Sequence, residues 1–318
     1  VKILFATIKN PRCQGDLLEV SILNGLRAVI GDSCIDVPRK RVMYHDWSET
    51  MKDELHGRGF TLYTRPIKDI QSSLRTDIQN IDVVLYGVSS MYNEQQDQAL
   101  DSLVGRNRVW FLDGHDLYGG APNKINFQGE EIIGIQNTPC FKRELVQENI
   151  PNVYPTGFGI PSYQIAEINL DTKDQLYQQT APNSCLFQPD TDLGNRSGYK
   201  FNREEDYFQD LQRSWFGLTC KRGGWDCLRH YEIIANGAVL LFKDYNKKPA
   251  LCSPQHLPCL SYSTREELEY IMNTLIVNNK PTKTYLDLLY TQRQWLYRVG
   301  TTEARALNIL RVLNGVLE

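Results

Sequence analysis

A chain of 318 residues, 41% hydrophobic and 23% charged, with a formal net charge of −3, has the make-up of a globular protein built from two domains of about 150 residues each. No apolar run approaches the ~20 residues that span a bilayer, and no long basic block offers phosphate contacts to a nucleic acid. The eight cysteines are scattered, and Cys220/Cys227 and Cys252/Cys259 have six residues between partners. That spacing disfavours a zinc cage drawing on Cys220, Cys227, His230 or His256, so the expectation is reduced thiols in a cytoplasmic protein without metal.

In chain order, Val1 to Ala6 reads as a first buried strand, not a signal peptide, because Lys9, Pro11 and Arg12 follow it at once. The next turn, Lys9 to Gly15, lacks Gly-x-Gly-x-x-Gly, which disfavours an NAD-type dehydrogenase. Gly15 to Ile30 is helical in pattern. His56-Gly57-Arg58-Gly59-Phe60 is a glycine-punctuated turn before a strand-like Thr61-Leu62-Tyr63. Ile81 to Tyr86 and Arg108 to Leu112 are further apolar strands, with a helix expected over Gln95 to Val104 between them. Strand alternating with helix implies a parallel, Rossmann-like sheet.

Pro151 to Pro161 holds three prolines and two glycines and marks the passage between domains. Asn183 to Gln188 is expected to be the first strand of the second domain, followed by a polar loop, Pro189 to Gly198, that carries Arg196. Glu204 to Ser214 reads as helix and Trp215 to Thr219 as strand. Ser263-Thr264-Arg265-Glu266-Glu267 is a good helix start, so Thr264 to Asn278 is helical, and Thr284 to Leu317 is largely helical with a break near Gly300.

The most informative stretch is Lys221 to Phe242, which reads as loop, helix, turn and strand. Gly223 and Gly224 let backbone N–H groups approach an anion, and the following helix, expected from about Asp226 to Ala235, turns its positive end to the same spot. Lys221, Arg222 and Arg229 add full charges there. Asn236-Gly237 supplies the stop, and Ala238 to Phe242 is a buried strand.

Within it, Glu232-Ile233-Ile234-Ala235-Asn236-Gly237-Ala238-Val239-Leu240-Leu241 resembles the stretch of GT-B glycosyltransferases that runs Glu-Ala-Met-Ala-x-Gly-x-Pro-Val-Ile. In that family the glutamate holds the ribose hydroxyls of a nucleotide sugar, and the resemblance carries this role to Glu232. Many retaining members have a second glutamate eight positions earlier, on the donor sugar; Gly224 stands there, and Ala238-Val239 replaces the residue-Pro step. Asp113-Gly114-His115-Asp116, Phe141-Lys142-Arg143-Glu144 and Gly157-Phe158-Gly159-Ile160-Pro161 follow an order similar to that of bacterial spore-maturation-type and related viral or phage-like glycosyltransferases.

The resemblance implies an α/β protein of GT-B type with two Rossmann-like domains facing a cleft and C-terminal helices crossing back to the first. Residues 1–160 would bind the acceptor, 161–290 the nucleotide sugar, and 291–318 would pack across both. The implied reaction moves a sugar from a nucleoside diphosphate sugar to a glycan or other hydroxyl acceptor. No cofactor and no metal are implied, since helix N-termini and basic groups (Arg196, Lys221, Arg222, Arg229) stabilise the leaving diphosphate. Gly224 tilts the mechanism towards inversion, which needs a base. Asp16, where the first loop enters its helix, and His115, flanked by Asp113 and Asp116, are the candidates. Asp16 also reads as an ordinary helix cap, and Glu232 as a surface carboxylate three residues after Arg229. An inactive nucleotide-sugar-binding module and a nucleotide-sugar epimerase of the same fold are the alternatives.

Overall fold

The computed structural model describes residues 1–7, 17–37, 39–44, 60–61, 80–88, 109–116, 126–127, 130–131, 139–146, 148, 150–188 and 200–317. The first unit is built on strands β1 (Ile3–Thr7), β2 (Cys34–Val37), β3 (Val83–Val88) and β4 (Val109–Asp113). After a two-residue-per-strand hairpin, β5 (Asn126–Phe127) and β6 (Glu130–Glu131), come β7 (Cys140–Lys142) and β8 (Val153–Pro155). The sheet order is β2-β1-β3-β4-β7-β8, and every pairing is parallel. Runs such as Val109-Trp110-Phe111-Leu112 are buried along their length, as parallel strands covered on both faces must be. Because β2 and β3 lie on opposite sides of β1, the order reverses there, and the carboxyl ends of these strands open the crevice in which doubly wound sheets bind ligands.

The second unit has strands β9 (Gln175–Tyr177), β10 (Ser214–Cys220), β11 (Val239–Lys243) and β12 (Leu260–Tyr262), again all parallel, in the order β12-β11-β10-β9. Asn183 to Gln188 is not its first strand. Pro182 (φ −58°) opens a 3₁₀ turn over Asn183–Leu186, and Phe187 closes it in the left-handed region at φ 57°. The first strand is β9, upstream.

Helix α1 is Leu17–Ile30, α2 is Glu204–Arg213 and α3 is Leu228–Ala235. Helix α4 (Arg265–Leu275) begins with a full capping box in which Thr264 Oγ1 accepts from the Glu267 N–H (3.2 Å) and the Glu267 carboxylate accepts from the Thr264 N–H (3.3 Å). Helix α5 is Lys283–Trp295; a π turn over Leu296–Gly300 then breaks the path, and Thr301 Oγ1 caps α6 (Thr302–Leu317) by accepting from the Ala304 N–H at 3.1 Å. The break turns α6 back onto the first unit, as the resemblance implied. It lies against α1 so closely that a Cβ at Gly25 would collide with the Thr302 carbonyl. Thr302 Oγ1 donates to Asn24 (2.9 Å), and Ile160 pairs with Gly300 and Thr302 through backbone bonds of 3.0 and 2.9 Å. Leu18, Ile22 and Leu26 of α1 share one core with Ile309 and Leu313 of α6 and with Tyr231, Ile234 and Phe242 of the second unit. That shared core packs the two units against each other. Among the described residues no helix is long and apolar enough to cross a membrane.

Candidate functional site

Strand β4 ends at Asp113, whose carboxylate is 3% exposed and organises the residues after it. Oδ1 accepts from the His115 N–H at 2.9 Å and meets the His115 ring Nδ1 at 2.9 Å, while Oδ2 accepts from Lys142 Nζ, at the end of β7, at 2.7 Å. Burial alone would push this carboxyl up. The hydrogen bond from His115 and the charge of Lys142 outweigh it and hold Asp113 well below the usual carboxylate range. An ionised Asp113 selects the imidazole tautomer that carries its proton on Nδ1, so Nε2 is the basic atom. The ring remains partly accessible, with its side chain 25% exposed.

On the second unit, β10 ends at Cys220, the loop Lys221–Cys227 follows, and α3 begins at Leu228, two residues later than the expected Asp226. Asp226 is not drawn into the helix because its carboxylate is engaged elsewhere: Oδ2 accepts from the Phe158 N–H and Oδ1 from the Tyr231 hydroxyl, each at 2.8 Å. The Cys220 thiol is drawn down to about 6, first by a hydrogen bond from Cys185 and then, against burial, by Ser184 and the charges of Arg229 and Arg222. Arg229 has a buried Nη1 with no hydrogen-bond partner.

Across the junction, the His115 loop meets the glycine loop. A Cβ at Gly223 would meet the Asp116 carboxylate, which is half-exposed and can shift, whereas one at Gly224 would collide with the fully buried Glu144 carboxylate; at Gly224 glycine permits this approach. Arg143, 2% exposed, ties the two sides together. Its Nη1 donates to Glu144 Oε1 (3.1 Å) and to the Asp226 carbonyl (2.8 Å), its Nε and Nη2 to the Gly114 carbonyl (3.1 and 2.9 Å), and it pairs with Asp116. The buried face of the glycine loop therefore looks onto acid. Lys221, Arg222 and Gly223 lie on its exposed side.

Glu232, on α3, is 7% exposed and so is not a surface carboxylate. Oε1 accepts from Thr61 Oγ1 at 2.5 Å and Oε2 from the Tyr207 hydroxyl at 2.7 Å. Burial raises its pKa, opposed by these two hydrogen bonds and by Arg229. Asp16 and Arg196 lie outside the described residues. Of the remaining sequence candidates, the structure brings His115, Gly223 and Gly224 to one junction and Arg229 beside Glu232. Sequence reasoning gave no role to Thr61, Tyr207 or Asp226, which complete these two centres.

No family model matches the chain, and no curated protein does. Solved structures do match over almost its whole length. A glycosyltransferase from Rickettsia africae aligns over 99% of this chain and 98% of its own, at 10% identity and a TM-score of 0.53. A DNA-modifying β-glucosyltransferase aligns over 98% and 99% (11% identity, TM-score 0.47), and the calicheamicin glycosyltransferase CalG4 over 98% of both chains (12%, 0.40). The fold is of GT-B type. At such identities the likeness extends to the fold and not to the chemistry, which has to be argued from the side chains themselves.

His230 is structural. It is fully buried between Phe242 and Tyr231, with Nδ1 against Thr219 Oγ1 (3.0 Å) and Nε2 against the Trp225 carbonyl (2.9 Å). Burial lowers its pKa from 6.5 to about 4. The unfolded chain therefore takes up a proton below pH 6.5 that the folded chain refuses, and stability present above that pH is lost as it falls towards 4. The shift corresponds to on the order of 3 kcal/mol. Urea unfolding of wild type and His230→Gln between pH 7 and 4 checks this: the variant should show the shallower loss.

Proposed function

We propose that the chain is a glycosyltransferase that moves a sugar from a nucleoside diphosphate sugar to a hydroxyl acceptor, a glycan or glycoconjugate, with inversion and without a metal. The observation that carries this reading is a pair of centres: the Asp113–His115 dyad at the carboxyl end of β4, and Glu232 on α3 close to Arg229, whose buried Nη1 has no hydrogen-bond partner. Glu232 holds the ribose hydroxyls. Arg229, with Lys221, Arg222 and Arg196, receives the diphosphate, whose charge grows as the bond to the anomeric carbon breaks. His115 Nε2 takes the acceptor hydroxyl's proton as its oxygen attacks the anomeric carbon from the face opposite the leaving group. Asp113 and Lys142 hold the ring in place. The order of the Asp113, Phe141 and Gly157 motifs supports a relationship to the spore-maturation-type enzymes.

The test is incubation with UDP- and GDP-sugars, with and without mixed acceptors, in EDTA. Acceptor-dependent release of UDP or GDP is the expected result, and a strict Mn²⁺ or Mg²⁺ requirement would overturn the metal-free reading. Glu232→Gln should weaken nucleotide binding by about 1–3 kcal/mol, the cost of a lost charge-assisted hydrogen bond, measured by calorimetry. The second reading is a binding module without turnover, since the fold alone does not fix the chemistry. Nucleotide-sugar binding with no release under any acceptor would establish it.

A further inference from the structure

Glu232 is already occupied by the protein itself. The occupant is Phe60-Thr61, which precedes β3 of the first unit in the chain, and among the described residues its partners at this place, Glu204, Tyr207 and Glu232, belong to the second. Thr61 Oγ1 donates to Glu232 Oε1 and the Thr61 N–H to Glu204 Oε1, each at 2.5 Å, while the Phe60 ring stacks on Tyr207 with centroids 6.1 Å apart and planes 23° from parallel. Tyr207 in turn donates its hydroxyl to Glu232 Oε2. A hydroxyl on the carboxylate and a flat ring on the neighbouring aromatic face reproduce the two recognition elements of a nucleoside, its ribose and its base.

We propose that Phe60-Thr61 is a built-in occupant of the nucleoside place, which the donor must displace to bind. The inference rests on the reading of Glu232 as the ribose-holding group. Two observations mark the segment as a substitute and not as ordinary packing. Thr61 sits at φ 75°, a left-handed conformation that a β-branched residue adopts only where its surroundings impose it. The substitute is also incomplete: it satisfies the carboxylate and covers the tyrosine, yet leaves Arg229 Nη1 buried without a partner. A nucleoside diphosphate offers two ribose hydroxyls, a base and an anion, so it meets all three groups where Phe60-Thr61 meets two.

The experiment measures UDP and GDP binding to the full chain by calorimetry and stopped flow, in wild type, Phe60→Ala, Thr61→Val, the double variant and Glu232→Gln, with thermal unfolding confirming that each is folded. If the segment is in place in about nine molecules of ten, its removal raises apparent nucleotide affinity about 10-fold. The observed binding rate should level off with nucleotide concentration in wild type, limited by release of the segment, and rise linearly in the double variant. Unchanged or weaker binding in Phe60→Ala and Thr61→Val, with Glu232→Gln still impaired, overturns the proposal while the Glu232 assignment stands. Unchanged affinity in Glu232→Gln, or no nucleotide binding by any form, overturns both.

Discussion

Replacing His115 by alanine is expected to lower sugar transfer by at least about 10²-fold, the lower end of what a general base contributes, with no matching loss of donor nucleotide affinity. The dyad geometry is the reason: Asp113 holds Nδ1 at 2.9 Å and is itself fixed by Lys142 at 2.7 Å. Asp113→Asn should lower the rate as well, acting through the ring's tautomer and not through contact with the acceptor. Transfer rates across pH separate the two base candidates, because ordinary histidine and aspartate titrate about two and a half units apart. If His115→Ala transfers near the wild-type rate and Asp16→Asn does not, the base is Asp16. If both variants transfer normally, inversion falls, and a retaining reaction that needs no such base is the better account.

The β10–α3–β11 unit was legible because its signals are local. An apolar run, two glycines, a helical period and Asn236-Gly237 each act over a few residues, and the structure differs from the reading by one or two positions at the ends. The return of α6 to the first unit was legible only through resemblance. The misread strand at Asn183 to Gln188 shows how local signals fail: Cys185-Leu186-Phe187 is apolar enough for a strand, but Pro182 starts a turn and Phe187 ends it in the left-handed region. Such a short apolar run has no periodicity with which to decide.

The parts of the site that sequence did not give are long-range pairings. Thr61 and Glu232 are 171 positions apart, and Arg143 reaches the Asp226 carbonyl across 83. Nothing in the pattern around Tyr207 distinguishes a ring that packs from one whose hydroxyl binds a carboxylate on the next helix. The acidic face behind Gly223 and Gly224 has the same origin. Read alone, two glycines before a helix suggest an anion cradle; the fold supplies Asp116 and Glu144 from another domain and gives Gly224 a further purpose, close approach.

That junction leads to the second large effect, on stability. Arg143→Met is expected to cost about 3–5 kcal/mol at pH 7, measured by urea unfolding, because it breaks a buried ion pair by removing one partner. Glu144 is fully buried and Asp226 is 4% exposed, and Glu144 Oε1 accepts from the Asp226 N–H at 2.9 Å. With the guanidinium gone, two neighbouring carboxylates lose their shared cation and cannot recover water. Burial already raises the pKa of Glu144, and losing Arg143 raises it further. The folded variant therefore binds a proton more readily than its unfolded chain, so its deficit against wild type should shrink as pH falls. Glu144→Gln in the Arg143→Met background removes the stranded charge and should restore part of the loss, which lost packing against the Phe158 ring, 4.7 Å from the guanidinium, would not. A deficit that is independent of pH and unrelieved by Glu144→Gln would mean that Arg143 holds the two units together by shape and not by charge.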